Sequence, residues 1–212
     1  LLKPEATRDD VRRLCTEAIA DEFASVCVNP VFTAQVSEAL RGSPVKSCAV
    51  VGFPLGASLP AAKRYEANSA LDDGAHEIDM VLHVGALKSC DDSAVRSEIA
   101  SLATLAHQKN AILKVIIEAS LLNEEEKARA CRLAVDAHAD FVKTSTGFSS
   151  AGATIADVAL MRRVVGPNIG VKASGGIRTL YDLLKMVEAG ATRIGSSNGV
   201  KIIQEARLRF PD

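Results

Sequence analysis

The sequence predicts an α/β fold, a (β/α)8 TIM barrel formed by a single domain over residues 1–212. Short apolar runs alternate with longer helical patterns along the chain, and loops rich in serine and glycine follow the last two runs. An open doubly wound sheet is the alternative, but no glycine-rich dinucleotide fingerprint follows the first run. No linker or low-complexity segment interrupts the 212 residues, which are enough for one large core.

The apolar runs are continuous rather than alternating, as is typical of strands buried on both faces of a parallel sheet. Seven such runs are present, whereas the barrel has eight strands. We therefore expect the first strand to lie at or before Leu1, so that it is truncated or missing at the N-terminus. The predicted strands are 25–28, 47–52, 77–85, 112–119, 140–145, 169–174 and 192–197.

Capping signals predict helices between these strands. Thr7 is an expected N-cap with aspartates in the first turn after it, and Asn123 begins a capping box completed by Glu126. Thr154 and Thr179 are further expected N-caps. The remaining signals are Pro60 in a first turn and the helix-ending glycines Gly74 and Gly190.

Charge and cysteine usage exclude several classes of function. The net charge is −1 without a basic block, so we expect no nucleic-acid partner. Five cysteines occur without a CxxC motif, which argues against a disulfide framework or a zinc site and favours a reducing compartment. No apolar run reaches the ~18 residues of a membrane span and no signal peptide is present, so we expect a cytoplasmic protein away from membranes.

Two predicted strands end in a lysine that is followed by small polar residues and glycine. These are Lys143 in FVKTSTGFSS and Lys172 in GVKASGGIRT. Since barrel enzymes place their active sites at the C-terminal ends of the strands, both ammonium groups should enter the same mouth. Like charges disfavour ionisation, so at least one lysine should have a lowered pKa. A neutral amine can attack a carbonyl, and the pair therefore predicts Schiff-base catalysis.

The expected carboxylate of this site is Asp79 in EIDMV, because it holds the repeat position that Lys143 holds in its own unit. Glu118, which ends KVIIEA, is a weaker candidate. Lys114 lies towards the opposite end of its strand, so we interpret it as structural. Cys27 and Asn29 end another strand and are candidates for the active-site wall, although a buried cysteine is more often an inert hydrophobe than a nucleophile.

Three loops after consecutive strands combine glycines with hydroxyl side chains: 145–147, 174–178 and 195–199. Backbone N–H groups in such loops bind phosphate, and Arg178 can add a charge-assisted contact. We therefore expect a phosphorylated small molecule as the ligand.

Taken together, these residues resemble the deoxyribose-phosphate aldolases, a family of class I aldolases with a (β/α)8 barrel. The resemblance extends from residue 1 to about residue 201. It is carried by LLKPEAT, FASVCVNP, VVGFPLGA, EIDMVLHVGALKS, LKVIIEASLL, ADFVKTSTGFS, GVKASGGIRT and GATRIGSSNGV.

The resemblance implies reversible cleavage of 2-deoxy-D-ribose 5-phosphate to D-glyceraldehyde 3-phosphate and acetaldehyde, a step of deoxyribonucleotide catabolism. It implies that Lys143 forms the Schiff base, that Lys172 tunes it and relays protons, and that Asp79 is an acid/base acting through water. It also implies a homo-oligomer, a dimer or tetramer, and no metal or organic cofactor. The phosphate loops would act through Gly147, Gly175, Gly176, Arg178, Gly195 and Ser197.

The sequence departs from the family pattern at several places. An Asp-His-Thr usually precedes the Leu-Leu-Lys-Pro stretch, and here the chain begins after it. His83 and Val84 stand where Asn and Ile are expected, and Asn198 stands where Ser is frequent. Two other functions stay open: a phosphate-sugar isomerase with a carboxylate base, and a sugar-phosphate-binding homologue with impaired catalysis.

Overall fold

A computed structural model describes residues 1–210, and its strands form one parallel sheet in which each strand pairs with the next along the chain. All seven predicted strands are present, most of them shorter than predicted. The strands are β1 (Ser25–Val28), β2 (Lys46–Val51), β3 (Glu77–Val81), β4 (Ile112–Ile116), β5 (Phe141–Lys143), β6 (Gly170–Ser174) and β7 (Arg193–Gly195).

The sheet curls so that side chains from distant strands meet inside it. Arg193 on β7 lies 3.4 Å from the Ser25 hydroxyl on β1 and 3.2 Å from the Glu77 carboxylate on β3. Helices cover the outer face, as predicted for a TIM barrel. Residues 1–210 contain seven parallel strands, whereas a complete (β/α)8 barrel has eight.

The predicted N-caps begin the helices that follow them. The Thr7 and Asn123 side chains each accept a hydrogen bond from the backbone N–H three residues on, in complete capping boxes, and Thr154 and Thr179 cap their helices in the same way. The helices are α1 (Arg8–Ala20), α2 (Thr33–Ala39), α3 (Pro60–Asp72), α4 (Val84–Lys88), α5 (Asp92–Gln108), α6 (Glu124–Asp136), α7 (Ile155–Val165), α8 (Leu180–Glu188) and α9 (Gly199–Arg209).

Among the strands predicted too long, 77–85 and 112–119 each end early for a local reason. The run 77–85 leaves the strand at Val81 because the His83 ring nitrogen accepts a hydrogen bond from Ala86 N–H and thereby begins α4. The run 112–119 leaves the strand at Ile116, since Glu118 adopts a left-handed conformation (φ 53°) and begins a short 3-10 turn over Ala119–Leu121. Both departures occur where the chain enters the mouth of the barrel.

Buried residues on each strand divide between two faces, because successive side chains of a strand point in opposite directions. On β3, Ile78 and Met80 join the apolar core beneath the helices, whereas Glu77 and Asp79 face the interior of the barrel. Both faces are buried, which explains the nearly continuous apolar character of the strands. The charges that interrupt this character are the residues that face inward. Within residues 1–210, no helix is sufficiently long and apolar to cross a bilayer.

Candidate active site

Lys143 and Lys172 lie side by side inside the barrel. Lys143 is the last residue of β5 and pairs directly with Lys172 in the ladder to β6, which confirms the predicted equivalence of the two positions. Both side chains are buried, and each Nζ donates a hydrogen bond to Asp79 Oδ2 at 2.7 Å. The two ammonium groups therefore share one carboxylate oxygen.

Asp79 is the central residue of β3 rather than a residue at its end. It pairs with Lys114 of β4, whereas Lys143 pairs with Ile116, two residues further along β4. The prediction that Asp79 and Lys143 occupy the same position of a repeat is therefore wrong, because strand pairing offsets the two residues by two positions. The curl of the sheet nevertheless brings the two side chains together across the interior.

The charge around Asp79 fixes its ionisation. Burial alone would favour the neutral acid, but the ammonium groups of Lys114, Lys143 and Lys172 together outweigh burial and hold the Asp79 pKa well below its usual range. Burial would also lower the pKa of Lys172, yet the facing Asp79 carboxylate raises that pKa above its ordinary value. The shift of Lys172 is thus opposite to the lowered pKa predicted for at least one lysine of the pair, because its counterion contributes more than its burial and the neighbouring cations.

Lys114 belongs to this cluster, although its position in the strand predicted a structural role outside it. Its Nζ donates to Asp79 Oδ1 at 2.8 Å and to Glu77 Oε2 at 2.7 Å, and its side chain is fully buried. Arg193 contacts the same Glu77 carboxylate from β7. The sequence does contain a signal for this role. Lys114 interrupts the otherwise apolar run ILKVII, and a buried ammonium group is costly unless it is paired with a carboxylate.

Glu118 lies at the mouth of the barrel and holds the segment that follows Lys143. Its buried carboxylate accepts hydrogen bonds from the hydroxyl and the backbone N–H of Thr146. The neighbouring Ala119 N–H donates to the Thr144 carbonyl at 2.8 Å, and the Thr144 hydroxyl donates to the Ser174 carbonyl at 3.1 Å. These bonds tie together the loops that follow β4, β5 and β6.

The predicted phosphate loops meet above the lysines. A Cβ added to Gly175 would lie 3.6 Å from the Cα of Gly147, and one added to Gly195 would lie 3.1 Å from Cε of Lys172. Gly147 and Gly176 have φ angles of 86° and 81° and open space on the side where a Cβ would lie. Backbone this close to a lysine, without side chains in the way, can accept an anion.

Arg178 and Ser197 lie on the exposed rim of these loops. The Arg178 backbone N–H donates to the Asp182 carboxylate at the start of α8, which fixes the loop while leaving the guanidinium outside that bond. The Ser197 hydroxyl lies 3.4 Å from Asn198 Oδ1. The structure therefore places both predicted phosphate ligands at the entrance rather than beside Asp79.

Cys27 and Asn29 are separated by the geometry of β1. The Cys27 thiol faces Asp79, with 4.0 Å between Sγ and Oδ2, whereas the Asn29 amide donates to the Leu2 carbonyl at 3.2 Å and holds the N-terminal segment. Sequence reasoning missed Cys48, which pairs with Cys27 in the β1–β2 ladder and donates to Asp79 Oδ1 at 3.2 Å. Its apolar neighbours in SCAVVG conceal that it faces inward.

Comparison with known proteins gives a consistent result. A model of the family described as DeoC/LacD family aldolase matches residues 2–205. A deoxyribose-phosphate aldolase from Lysinibacillus sphaericus is 56% identical over 203 residues, which cover 96% of this chain and 91% of the relative. One from Listeria innocua is 53% identical over 211 residues, which cover 100% of this chain and 94% of the relative.

Solved structures agree with the sequence relatives. A deoxyribose phosphate aldolase from Aeropyrum pernix, described as having a unique tetrameric structure, superposes with a TM-score of 0.92 at 37% identity. The match covers 99% of this chain and 88% of that one.

Proposed function

The chain belongs to the DeoC/LacD family of aldolases, and on this premise we propose that it is a deoxyribose-phosphate aldolase acting through a lysine Schiff base. It cleaves 2-deoxy-D-ribose 5-phosphate reversibly to D-glyceraldehyde 3-phosphate and acetaldehyde. The observation that carries the proposal is the Lys143–Asp79–Lys172 arrangement, in which two ammonium groups lie 2.7 Å from one carboxylate oxygen beneath glycine loops. The proposed substrate follows from the relatives, which are named deoxyribose-phosphate aldolases.

Lys143 is the proposed nucleophile. It is the last residue of β5 and therefore lies nearer the mouth than Lys114, which is bound deeper between Glu77 and Asp79. The raised pKa of Lys172 keeps that side chain protonated, so it is better suited to donate a proton than to attack a carbonyl. Lys143 must lose its proton before it attacks.

The proposed cycle begins when Lys143 Nζ attacks the C1 aldehyde of the open-chain sugar. Lys172 protonates the carbinolamine hydroxyl, which leaves as water and gives an iminium ion. Asp79, acting through a water molecule, accepts the proton of the C3 hydroxyl as the C2–C3 bond breaks. The bonding electrons flow into the iminium, so D-glyceraldehyde 3-phosphate leaves and an enamine stays on the enzyme.

The second half returns the enzyme to its starting state. The water beside Asp79 delivers the proton taken from the C3 hydroxyl to the enamine carbon. Hydrolysis of the resulting iminium then returns a proton from the attacking water to Lys172 and frees acetaldehyde and Lys143. Asp79 passes the C3-hydroxyl proton on and returns to the carboxylate because its pKa is held well below the usual range, and the carboxylate stabilises the cationic iminium. The protonated imine is the electron sink, and the proposed chemistry calls for no metal or organic cofactor.

The 5-phosphate is proposed to lie over the loops after β5, β6 and β7. Gly147, Gly175, Gly176 and Gly195 would offer backbone N–H groups at close approach, and Arg178 and Ser197 would contact the phosphate from the rim. Since the Aeropyrum pernix relative is described as tetrameric, a homo-oligomer is proposed here too, as a dimer or tetramer in the cytoplasm.

Acetaldehyde release from 2-deoxy-D-ribose 5-phosphate tests the proposal. Acetaldehyde is measured through reduction by alcohol dehydrogenase, with the full-length protein and a Lys185→Ala variant as the control for loss of a partly exposed lysine. We expect equal turnover by both proteins and none without enzyme. Calorimetric binding of the sugar phosphate without acetaldehyde would instead favour a non-catalytic binding protein.

A further inference from the structure

Two cysteine thiols adjoin the catalytic carboxylate. Cys27 and Cys48 are directly opposite each other on the neighbouring strands β1 and β2. Their sulfur atoms and an oxygen of Asp79 all lie within 4.8 Å of one another. Lys114 Nζ lies 3.7 Å from Cys48 Sγ, so the thiols also border the ammonium cluster. The proposed aldolase cycle uses neither thiol.

The two thiols differ in their ionisation. The adjacent Cys48 thiol, together with the charges of Lys172 and Lys143, outweighs burial and the Asp79 charge and lowers the pKa of Cys27 to about 6. The adjacent Cys27, together with burial and the Asp79 charge, raises the pKa of Cys48 well above its ordinary value. Cys27 is therefore the more acidic thiol of the pair, and its thiolate is the form that would react with an oxidant.

Access to the two sulfurs also differs. Cys27 is half-buried and Cys48 is fully buried, so an oxidant that enters the barrel meets Cys27 first. An accessible thiolate with a second thiol behind it is the arrangement that reversible thiol oxidation requires. The other cysteines lack it: Cys15 and Cys131 are buried on helices, and Cys90 is exposed after α4.

We propose that Cys27 and Cys48 are a redox modification site, at which a peroxide converts the two thiols into a disulfide and so reversibly stops turnover at Asp79. The inference is additional to the proposed aldolase function, and the cross-link itself can be tested without any assay of that function.

The chemistry has two steps. The Cys27 thiolate attacks one oxygen of hydrogen peroxide, the O–O bond breaks, and Cys27 becomes a sulfenic acid as hydroxide leaves. The Cys48 sulfur then attacks the Cys27 sulfur, loses its proton and displaces the hydroxyl group as water. The two sulfurs supply the two electrons that reduce the peroxide, and a dithiol reductant later returns two electrons and two protons.

The backbone permits this bond. Neighbouring strands lie about 4.8 Å apart, which is within the ~4.4–6.8 Å between Cα atoms that disulfides span. Bond formation removes the hydrogen bond that Cys48 donates to Asp79 Oδ1 and removes the negative charge of the Cys27 thiolate. Asp79 would then be held by lysines alone, and its position between Lys143 and Lys172 would change.

A soft metal ion is the other chemistry that two thiols and a carboxylate can support. Three ammonium groups lie against the same carboxylate, and their charge disfavours a divalent cation there. Oxidation, in contrast, removes negative charge without adding a cation.

Peptide mass mapping of the full-length protein after brief treatment with hydrogen peroxide tests the proposal. We expect one cross-link joining the peptides that contain Cys27 and Cys48, with a mass loss of about 2 Da that a dithiol reverses. Acetaldehyde release should fall and recover with the cross-link. The Cys90→Ser variant, which removes an exposed thiol outside this pair, should form the same cross-link to the same extent.

The Cys48→Ala variant sharpens the test because it leaves Cys27 without a resolving thiol. We expect Cys27 of this variant to gain about 32 Da as a sulfinic acid that a dithiol cannot reverse. Sulfinic acid on Cys27 of the unmodified sequence, or a cross-link between any other cysteines, would overturn the proposal. So would tight zinc binding that protects both thiols from peroxide, since that result would assign the pair to a metal.

Discussion

Two groups of buried charged residues lie on opposite sides of the sheet, and they differ in the number of cations that contact each carboxylate. Outside the barrel, Lys63 on α3 and Glu98 on α5 form a one-to-one ion pair with 2.9 Å between Nζ and Oε1. Inside it, the single carboxylate of Asp79 contacts three lysines. Both groups are buried to the same degree, so burial alone does not distinguish a structural pair from a reactive site.

The pKa of a lysine is lowered in the outer pair and raised in the inner cluster, which is the opposite of what a search for a reactive lysine would expect. Burial lowers the pKa of Lys63 more than its contact with Glu98 raises it, whereas Asp79 raises the pKa of Lys172. A search for a lysine with a lowered pKa would therefore select Lys63, which also donates to the Val81 carbonyl and joins helices to the sheet. The excess of cations around Asp79 distinguishes the proposed reactive site from the Lys63–Glu98 pair better than the pKa shift of any one lysine does.

Removal of Lys143 should have the largest effect on catalysis. We expect Lys143→Arg, which keeps a cation beside Asp79 but cannot form an imine, to reduce turnover at least about a thousandfold. Steady-state kinetics of acetaldehyde release measure this, with Lys185→Ala as the control. Turnover within about tenfold of the original would show that the interior cluster is as structural as the Lys63–Glu98 pair.

Removal of the shared carboxylate should affect both activity and stability. Asp79→Asn leaves the buried Lys143 and Lys172 without their counterion and Lys114 with Glu77 alone, so we expect the free energy of unfolding to fall by about 3–5 kcal/mol at pH 7. Turnover should also fall at least about a hundredfold, since the acid/base group is lost. Urea denaturation and kinetics measure the two effects.

The effect of Asp79 on stability should depend on pH in a defined direction. The pKa of Asp79 is lowered in the folded state. Its stabilising free energy is therefore fully present above its pKa in the unfolded state, about 4, and is lost as the pH falls through its pKa in the folded state. The stability difference between Asp79→Asn and the original protein should therefore narrow below about pH 4. A difference that widens there would contradict the assigned charge of Asp79.

The Lys63–Glu98 pair outside the barrel should affect the free energy of unfolding and not the turnover. Lys63→Met leaves Glu98 buried without a partner, and we expect a loss of about 3–5 kcal/mol by urea denaturation with little change in turnover per folded molecule. The double variant Lys63→Met, Glu98→Leu should recover most of that loss, because both charges are then gone. A large drop in turnover of the folded double variant would remove the contrast between the two charge groups.

The smallest effect on catalysis is expected from Glu118, whose carboxylate binds Thr146 in the loop after Lys143. Glu118→Gln weakens the two bonds to Thr146, a loss of about 1.5–3 kcal/mol for bonds to a charged acceptor. We expect KM for the phosphorylated sugar to rise up to about tenfold, with a smaller change for unphosphorylated deoxyribose. An equal change for both sugars would indicate that Glu118 does not act through the phosphate loop.

Much of this arrangement could be predicted from local sequence. The strands, four N-caps and the adjacent Lys143 and Lys172 follow from apolar runs and capping residues, which depend on neighbours in the chain. The placement of Lys114 and Cys48 beside Asp79 could not be predicted in this way. It depends on the register between strands and on which face each side chain takes, and those are set by the curl of the whole sheet.

The strand ends show the same limit. His83 ends β3 through its own ring nitrogen, and Glu118 ends β4 in a left-handed conformation that its residue type does not favour. Asp91 caps α5 by accepting a hydrogen bond from the Ala94 backbone N–H, in the same way as Thr7 and Asn123 cap their helices.

Reductive trapping of the enzyme during turnover tests the central claim most directly. Sodium borohydride added with 2-deoxy-D-ribose 5-phosphate reduces an imine to a stable amine, and peptide mass mapping then locates it. We predict one adduct per chain, on Lys143, absent from Lys143→Arg and present in Lys63→Met. An adduct on Lys172 or Lys114, or none despite continued acetaldehyde release, would contradict the assignment.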